Sequence, residues 1–321
     1  MRAVRFHEHG DESVLGVDEV DRPDPGPDEV LVEVASAGVN PVDTYFREGS
    51  YTPYALPAVP GVDAAGKAVE VGEGVEGIAE GDLVYATGLS MAMPGGYAEY
   101  VAVPTDRLAV LPDDADLRAA GGAGVAAVTA WRALIEHADL RPAETALIHG
   151  GSGGVGHAAV QVAAATGARV LTTASPAYHD RLHELGADAA FDYDRDDLAD
   201  AVTDATDGDG VDVVLDHRLD DYLQFDADVA AHGARVVGIG ENEQAIGFDS
   251  SAGARSKDLR LQLMSMFNTP SLADALAELA TLWEAGDLTV EVDRSYDLAE
   301  AGEAQRDVMA DSFLGKLVIE P

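Results

Sequence analysis

The sequence predicts an α/β protein in two parts, an all-β, barrel-like half followed by a doubly wound parallel sheet. Three observations carry this expectation. Up to about residue 115 the chain reads as short strands separated by Pro- and Gly-rich turns. From Ala146 to Ile239 strands and helices alternate strictly, the pattern of right-handed βαβ crossovers. A glycine-rich turn joins the first strand of that alternation to its first helix.

Taken in order, the clearest early strands are Val30 to Val34, Gly66 to Val71, Asp82 to Tyr85 and Tyr97 to Val103, punctuated by Asp24-Pro25-Gly26-Pro27 and Pro94-Gly95-Gly96. An Ala-rich helix from Leu117 to Ala138 reads as a domain connector. The alternation then runs strand Ala146 to His149, helix Val155 to Thr166, strand Arg169 to Ala174, helix Tyr178 to Leu185 and strand Ala189 to Tyr193. It continues with helix Asp196 to Ala205, strand Val211 to Leu215, a helix near Tyr222 to Ala231 and strand Arg235 to Ile239. Gly167 and Gly186 follow helices, where a positive φ is wanted. Leu259 to Met266 offers a sixth strand. Helix Leu272 to Trp283 and a final Leu317-Val318-Ile319 are expected to fold back on the first half. The boundaries expected are 1–120, completed by 268–321, for the first domain and 121–267 for the second.

The 321 residues carry 59 acidic and 20 basic side chains, a formal charge of −39. Clustered cations are what bind a phosphate backbone or an anionic membrane, so neither nucleic acid nor membrane is expected as a partner. The 47% hydrophobic residues supply a core and separate the chain from an acidic disordered one. Only Lys67, Lys257 and Lys316 are lysines, leaving 20 − 3 = 17 arginines. So negative a surface repels itself in dilute buffer, and molar salt shortens the screening length to about 3 Å. The expected setting is a salt-rich cytoplasm. With no cysteine, disulfides, thiolate-bound zinc and a Cys nucleophile are excluded. No N-terminal apolar segment and no run near 18 apolar residues suggests export or a membrane span.

Gly151, Gly153 and Gly156 form G-x-G-x-x-G within His149-Gly150-Gly151-Ser152-Gly153-Gly154-Val155-Gly156. Glycine allows the tight turn and close backbone approach a pyrophosphate needs, and the N-terminus of the following helix faces the anion. Glycines placed for packing alone are the other reading. The next strand ends Thr173-Ala174-Ser175, without the carboxylate that would accept from the ribose 2′-OH of NAD. An added 2′-phosphate is then expected to meet Ser175, with His179 and Arg181 nearby, which favours NADP(H). His179 is equally readable as an exposed helix residue. His179 and His183 stand at i, i+4 without an evident third ligand, so no metal site is expected there.

With these residues in place the chain resembles the zinc-independent medium-chain dehydrogenase/reductases, most closely the quinone oxidoreductases related to ζ-crystallin. The resemblance spans nearly the whole chain. It rests on Val4 to Gly10, Ala37-Gly38-Val39-Asn40-Pro41-Val42-Asp43-Thr44-Tyr45, Pro60 to Gly66, Gly96-Tyr97-Ala98-Glu99-Tyr100 and Val128 to Leu134. It implies a GroES-like β-barrel catalytic domain, a Rossmann domain and an active cleft between them. The zinc-dependent relatives have Cys where this chain has Asn40 and His-Glu where it has Val62-Asp63. A homodimer through the edge strand at 259–266 is implied as well, although a loop of the same chain would cover such a strand equally well.

Without a metal, hydride must pass to an acceptor that is already electron-poor, such as a quinone or enone. The resemblance implies that Asn40, Tyr45 and Tyr51 line or serve the substrate site. The bland reading is a turn cap for Asn40 and apolar walls for the tyrosines. Asp43 and Arg47 are expected to pair as a structural ion pair. Cofactor contacts implied by position are Asn40, Thr129, the turn Gly151, Ser152, Gly153, Gly154, Val155 and Gly156, then Ser175, His179 and Tyr193. Gly238, Ile239, Gly240, Met264, Met266 and Lys316 complete that set, Lys316 being equally readable as incidental. The segment Asp216-His217-Arg218-Leu219-Asp220-Asp221 departs from the small Gly-containing turn of many relatives, and His217 or Arg218 is a candidate substrate donor. Enone or enoyl-thioester reduction and a low-turnover NADPH-binding role remain the competing readings. A phosphate-rich thioester would want a basic entrance, and RNA binding is disfavoured by the charge.

Overall fold

A computed structural model describes residues 1–310 and 312–321. In chain order it begins with strands β1 (Arg2–Arg5), β2 (Gly16–Glu19) and β3 (Glu29–Val39), helix α1 (Pro41–Glu48), and strands β4 (Ala64–Val71), β5 (Leu83–Ala86), β6 (Tyr100–Pro104) and β7 (Leu108–Val110). Helices α2 (Leu117–Gly121) and α3 (Ala123–Trp131) lead into a π-helical turn at Arg132–His137. The alternating region holds β8 (Thr145–Ile148), α4 (Gly154–Ala165), β9 (Arg169–Thr173), α5 (His179–Glu184), β10 (Ala189–Phe191) and α6 (Leu198–Ala205). It goes on with β11 (Val211–Asp216), α7 (Leu219–Val229), β12 (Ala230–Gly238), α8 (Ser251–Ser256) and β13 (Arg260–Leu263). The tail is α9 (Leu272–Ala285), β14 (Val292–Asp297), α10 (Ala301–Ala310) and β15 (Lys316–Glu320).

Two compact units result, Met1–Val128 with Pro270–Pro321, and Thr129–Thr269. In the first, a seven-stranded sheet runs β14-β15-β3-β4-β5-β7 with β6 also paired to β3, and β1 pairs β2 separately. The tail enters this sheet because β15 pairs antiparallel with β3, Val318 opposite Gly38. Alternate β3 residues Val30, Val32 and Val34 face a core shared with Val84, Val101, Leu317 and Ile319. In the second unit the order is β10-β9-β8-β11-β12-β13, all parallel. Counted from β8 as the first strand that is 3-2-1-4-5-6, the doubly wound Rossmann order. Its core joins Leu147, Leu171, Val214 and Val236 from the strands to Val202, Leu219 and Leu223 from the helices.

Two expectations need correction. The single helix over Leu117–Ala138 is broken at Gly122, because this turn runs against β3 and its neighbour. A Cβ on Gly121 would lie 2.6 Å from the Ser36 carbonyl oxygen, and one on Gly122 would lie 3.0 Å from Lys316. The second piece then widens into the π turn, where Ala138 N–H reaches Ala133 O at 2.9 Å. The sixth strand covers Arg260–Leu263 rather than 259–266, and all four of its residues are exposed. Met266 leaves it for a buried 3-10 turn.

Candidate active site

In the first unit a cluster of buried polar side chains is built at the junction of β3 and α1. Asn40 caps α1, its backbone N–H donating to Asp43 Oδ2 at 2.9 Å, and Pro41 occupies the first helical position. The Asn40 side chain is 2% exposed. Its Nδ2 donates to Asp63 Oδ2 at 2.9 Å, while its Oδ1 accepts from Lys316 Nζ at 2.5 Å. An ammonium only donates and a carboxylate only accepts, so the amide orientation is fixed by its partners. Lys316, itself 4% exposed, also donates to Val39 O at 2.9 Å.

Two buried carboxyls complete this cluster. Asp63 accepts from Thr87 Oγ1 at 2.6 Å and Val125 N–H at 2.9 Å, and Asp43 from the N–H groups of Gly61 and Val62 at 3.2 and 2.9 Å and Tyr97 OH at 3.3 Å. Burial lifts Asp43 to about 7, with Asp63 adding to the rise and its backbone donors and Lys316 opposing it. Burial also raises Asp63 against the pull of Lys316, and lowers Lys316 against the pull of both carboxylates. The expected Asp43–Arg47 pair is absent. Arg47 is buried and turned the other way, with Nε on Gln305 Oε1 at 2.7 Å and NH1 on Gly10 O at 2.5 Å, while Asp43 is saturated by backbone donors.

Tyr45, on α1, and Tyr51, just past it, are 36% and 46% exposed and stand edge to face with centroids 5.8 Å apart. Gly49, at a φ of +86°, ends α1 and turns the chain so that Tyr51 N–H reaches Tyr45 O at 3.1 Å. These rings therefore form an amphipathic shelf, whereas Asn40 lies beneath the surface with its amide engaged.

In the second unit a glycine-rich turn stands at the carboxyl ends of the strands. A Cβ on Gly151 would lie 2.0 Å from Thr172 Oγ1, and one on Gly156 2.0 Å from Gly150 O, so both positions admit only glycine. Gly153 differs, its Cβ direction meeting only Gly150 O at 3.4 Å. It caps α4 without any side-chain cap, which leaves first-turn N–H groups open to an acceptor from outside the helix. The loops after β11, β12 and β13 are stitched together nearby: Ile239 N–H donates to Asp216 O at 2.8 Å and Met264 N–H to Gly238 O at 3.0 Å. A Cβ on Gly238 would strike Leu219 at 2.1 Å, and one on Gly240 the His217 carbonyl at 3.0 Å. Thr129 is buried in α3. Past β9, Ser175 caps a short turn with its backbone alone, and Tyr193 stands exposed beyond β10. His179 Nε2 is 3.0 Å from Ala174 O and His183 Nδ1 2.7 Å from Ala187 O, so the two imidazoles serve separate carbonyls. Arg181 pairs with Glu184 at 2.6 Å. No group of three or more metal-ligating side chains stands together among the described residues.

Residues 26–113 match the alcohol dehydrogenase GroES-like domain, and residues 185–319 the zinc-binding dehydrogenase domain. The quinone oxidoreductase of Lama guanicoe is 32% identical over 325 residues, 99% of this chain and 97% of that one. The chain belongs to the quinone oxidoreductase family. Its fold agrees with solved relatives over 100% of both chains. An NAD-dependent alcohol dehydrogenase superposes with a TM-score of 0.93 at 30% identity, and the Escherichia coli quinone oxidoreductase solved with NADPH with 0.87 at 28%. Asn40 and Asp63, both buried in the first unit, are hydrogen-bonded to each other.

Sequence reasoning missed Thr87 and Asp226, and named Asp63, Lys316, His149 and Asp216 without the pairings they make. A signal existed for Asp226, a charged residue in phase with Leu219 and Leu223 on the apolar face of α7.

Proposed function

We propose that this chain is an NADPH-dependent oxidoreductase that transfers hydride to a quinone or similar conjugated carbonyl without a metal. The observation that carries the reading is the glycine cradle of Gly151 and Gly156 beside a β9 that ends in Ser175 rather than a carboxylate. When bound, NADPH supplies hydride, and water supplies the proton that completes the hydroquinone. The turn from Gly151 to Gly156 receives the pyrophosphate, and Ser175, His179 and Tyr193 receive the 2′-phosphate end. Thr129, Gly238 to Gly240, Met264 and Met266 are assigned to the nicotinamide end. Tyr45 and Tyr51 give the flat acceptor an aromatic shelf with two phenol hydroxyls at its edge. Asn40 holds the start of α1, and Lys316 acts through it.

We assign the protein to a salt-rich cytoplasm, on its charge of −39 and its three lysines. Among the described residues no helix is long and apolar enough to cross a membrane. We also assign a homodimer through the β13 edge, on the exposure of Leu261 and Leu263 along a strand whose outer side pairs with no described strand. The test is loss of reduced-nicotinamide absorbance in molar KCl, with NADPH and NADH each offered 1,4-benzoquinone and a simple enone. Faster oxidation of NADPH by the quinone supports the reading, and NADPH binding without turnover of either acceptor overturns it.

A further inference from the structure

Three titratable side chains meet beneath the glycine turn without access to water: His149 at the end of β8, Asp216 at the end of β11 and Asp226 on α7. His149 Nε2 lies 2.9 Å from Asp226 Oδ1, and its Nδ1 lies 3.2 Å from Thr173 Oγ1. Thr173 Oγ1 in turn accepts the Gly150 N–H at 3.2 Å. At the far end Asp216 Oδ1 accepts the Arg218 N–H at 2.7 Å. Between these ends the Asp216 and Asp226 carboxyls are neighbours, each perturbing the other's protonation. Their Oδ2 atoms are buried and accept no hydrogen bond from the described residues.

A hydroxyl that accepts from Gly150 is free to donate to His149 Nδ1, which places the imidazole proton on Nε2, directed at Asp226. The histidine is then neutral, in keeping with the burial that lowers it to about 4. No cation is left to balance the carboxyls. Two ionised carboxylates are acceptors only and cannot bond to each other, so their contact requires a proton between them. The groups packed around them do not change this balance. Tyr222 stacks on His149 at 4.5 Å and Phe225 stands edge-on at 5.6 Å. Arg218 is turned to Asp221, and the His217 ring lies against Gly150, where a Cβ would come within 2.7 Å of it.

We propose that Asp216 and Asp226 share one proton, and that this pair, with His149, is a positioning device tying the glycine turn to the loop after β11 in the geometry that receives NADPH. The device rests on the cofactor reading above. Asp216 anchors the loop through the Arg218 N–H, and the His217 ring lies against Gly150. Burial raises Asp216 to about 7 and Asp226 to about 8, so the closed arrangement takes up a proton that an opened one lacks. Its stabilising effect is whole below the ordinary carboxyl range near 4 and is lost as pH rises through the 7 to 8 region. Affinity for NADPH falls in the same window.

Two measurements on the full chain test this. In infrared difference spectra at pH 7, wild type minus Asp226→Asn contains the C=O stretch of a protonated carboxylic acid, which disappears when both are brought to alkaline pH. Asp43, also lifted by burial, is common to both samples and cancels. In NADPH fluorescence titrations, wild-type Kd rises about 10-fold between pH 7 and 8 and levels off above that, the slope of one linked proton. Asp226→Asn stays flat, because its amide donates permanently to Asp216 while its oxygen still accepts from His149. Asp226→Leu, which can do neither, binds weakly throughout. Absence of the acid band, or an Asp226→Asn profile that follows wild type, overturns the proposal. If wild type fails to bind NADPH, the cofactor reading has failed and the infrared band alone decides the shared proton. Should Asp226→Leu not fold, the Asn variant carries both tests.

Discussion

Replacing Gly156 by Ala puts a methyl group 2.0 Å from Gly150 O, 2.7 Å from its carbonyl carbon and 2.8 Å from Gly151 Cα. Ordinary contact starts at 3.4 Å, so the two backbone segments must part by 3.4 − 2.0 = 1.4 Å. No rotamer relieves the clash, since every atom struck belongs to main chain. Bonds from the turn to a pyrophosphate at about 2.9 Å would open past 4 Å, outside hydrogen-bond range. Two such charge-assisted bonds at about 1.5–3 kcal/mol each amount to about 3–6 kcal/mol, or about 10²- to 10⁴-fold in Kd. Gly153→Ala supplies the contrast, because its methyl meets nothing closer than 3.4 Å within the protein but projects where the ligand enters. NADPH fluorescence titration and thermal unfolding of both variants separate the effects. Gly156→Ala loses affinity and some stability, while Gly153→Ala loses affinity with Tm unchanged. A Gly156→Ala Kd within threefold of wild type would refute the claim that this turn is the pyrophosphate cradle.

Lys316→Met strands Asp63 and Asp43 without their cation and is expected to cost about 3–5 kcal/mol, the usual penalty for breaking a buried pair, as read by urea unfolding in molar KCl. Tyr51→Phe keeps the aromatic shelf and loses only a hydroxyl, so kcat for benzoquinone should stay within about threefold if the ring is wall, and fall by about 10²-fold or more if the phenol is an acid. Leu263→Lys places a charge on the exposed β13 edge and should convert a dimer to monomer in light scattering, with the monomer's far-UV spectrum unchanged. Raising KCl from 0.1 to 2 M should raise Tm, because the screening length falls from about 10 Å to below 3 Å; an equal rise in sucrose at low ionic strength would show that charge is not the cause.

The strand and helix alternation was readable because a parallel sheet buries both faces and writes Val214, Val236 and their neighbours as apolar runs. The glycine turn was readable for a related reason: a backbone-to-backbone contact such as Gly156 against Gly150 can be satisfied by one residue type only. What stayed hidden was polar pairing over long separations. Asn40 reads as a turn residue or a substrate ligand, and nothing local says that Lys316, 276 positions later, takes its oxygen. Arg47 looked like a partner for Asp43 at i+4, yet the backbone N–H groups of Gly61 and Val62 had already filled that carboxylate. Helix ends were likewise set by tertiary contact, as at Gly122 beside Lys316.

The three lysines show what the chain's charge balance selects. Lys316 is buried and gives its ammonium to Val39 O and Asn40 Oδ1. Lys257 gives its own to the carbonyls of Ala227 and Asp228 at 2.8 and 2.7 Å, tying the end of α8 to α7. In each case one compact ammonium reaches two acceptors at a point, a geometry that the planar, forked guanidinium of arginine does not reproduce. Elsewhere the cationic work falls to arginine in side-by-side pairs, as where Arg235 meets Glu144 at 2.9 and 2.7 Å. Only Lys67 is exposed with no such bond among those described. Two of the three lysines thus persist where packing demands their shape. Lys316, readable from the sequence as a cofactor contact or as incidental, ties Val39 and Asn40 together at the start of the helix that carries Tyr45.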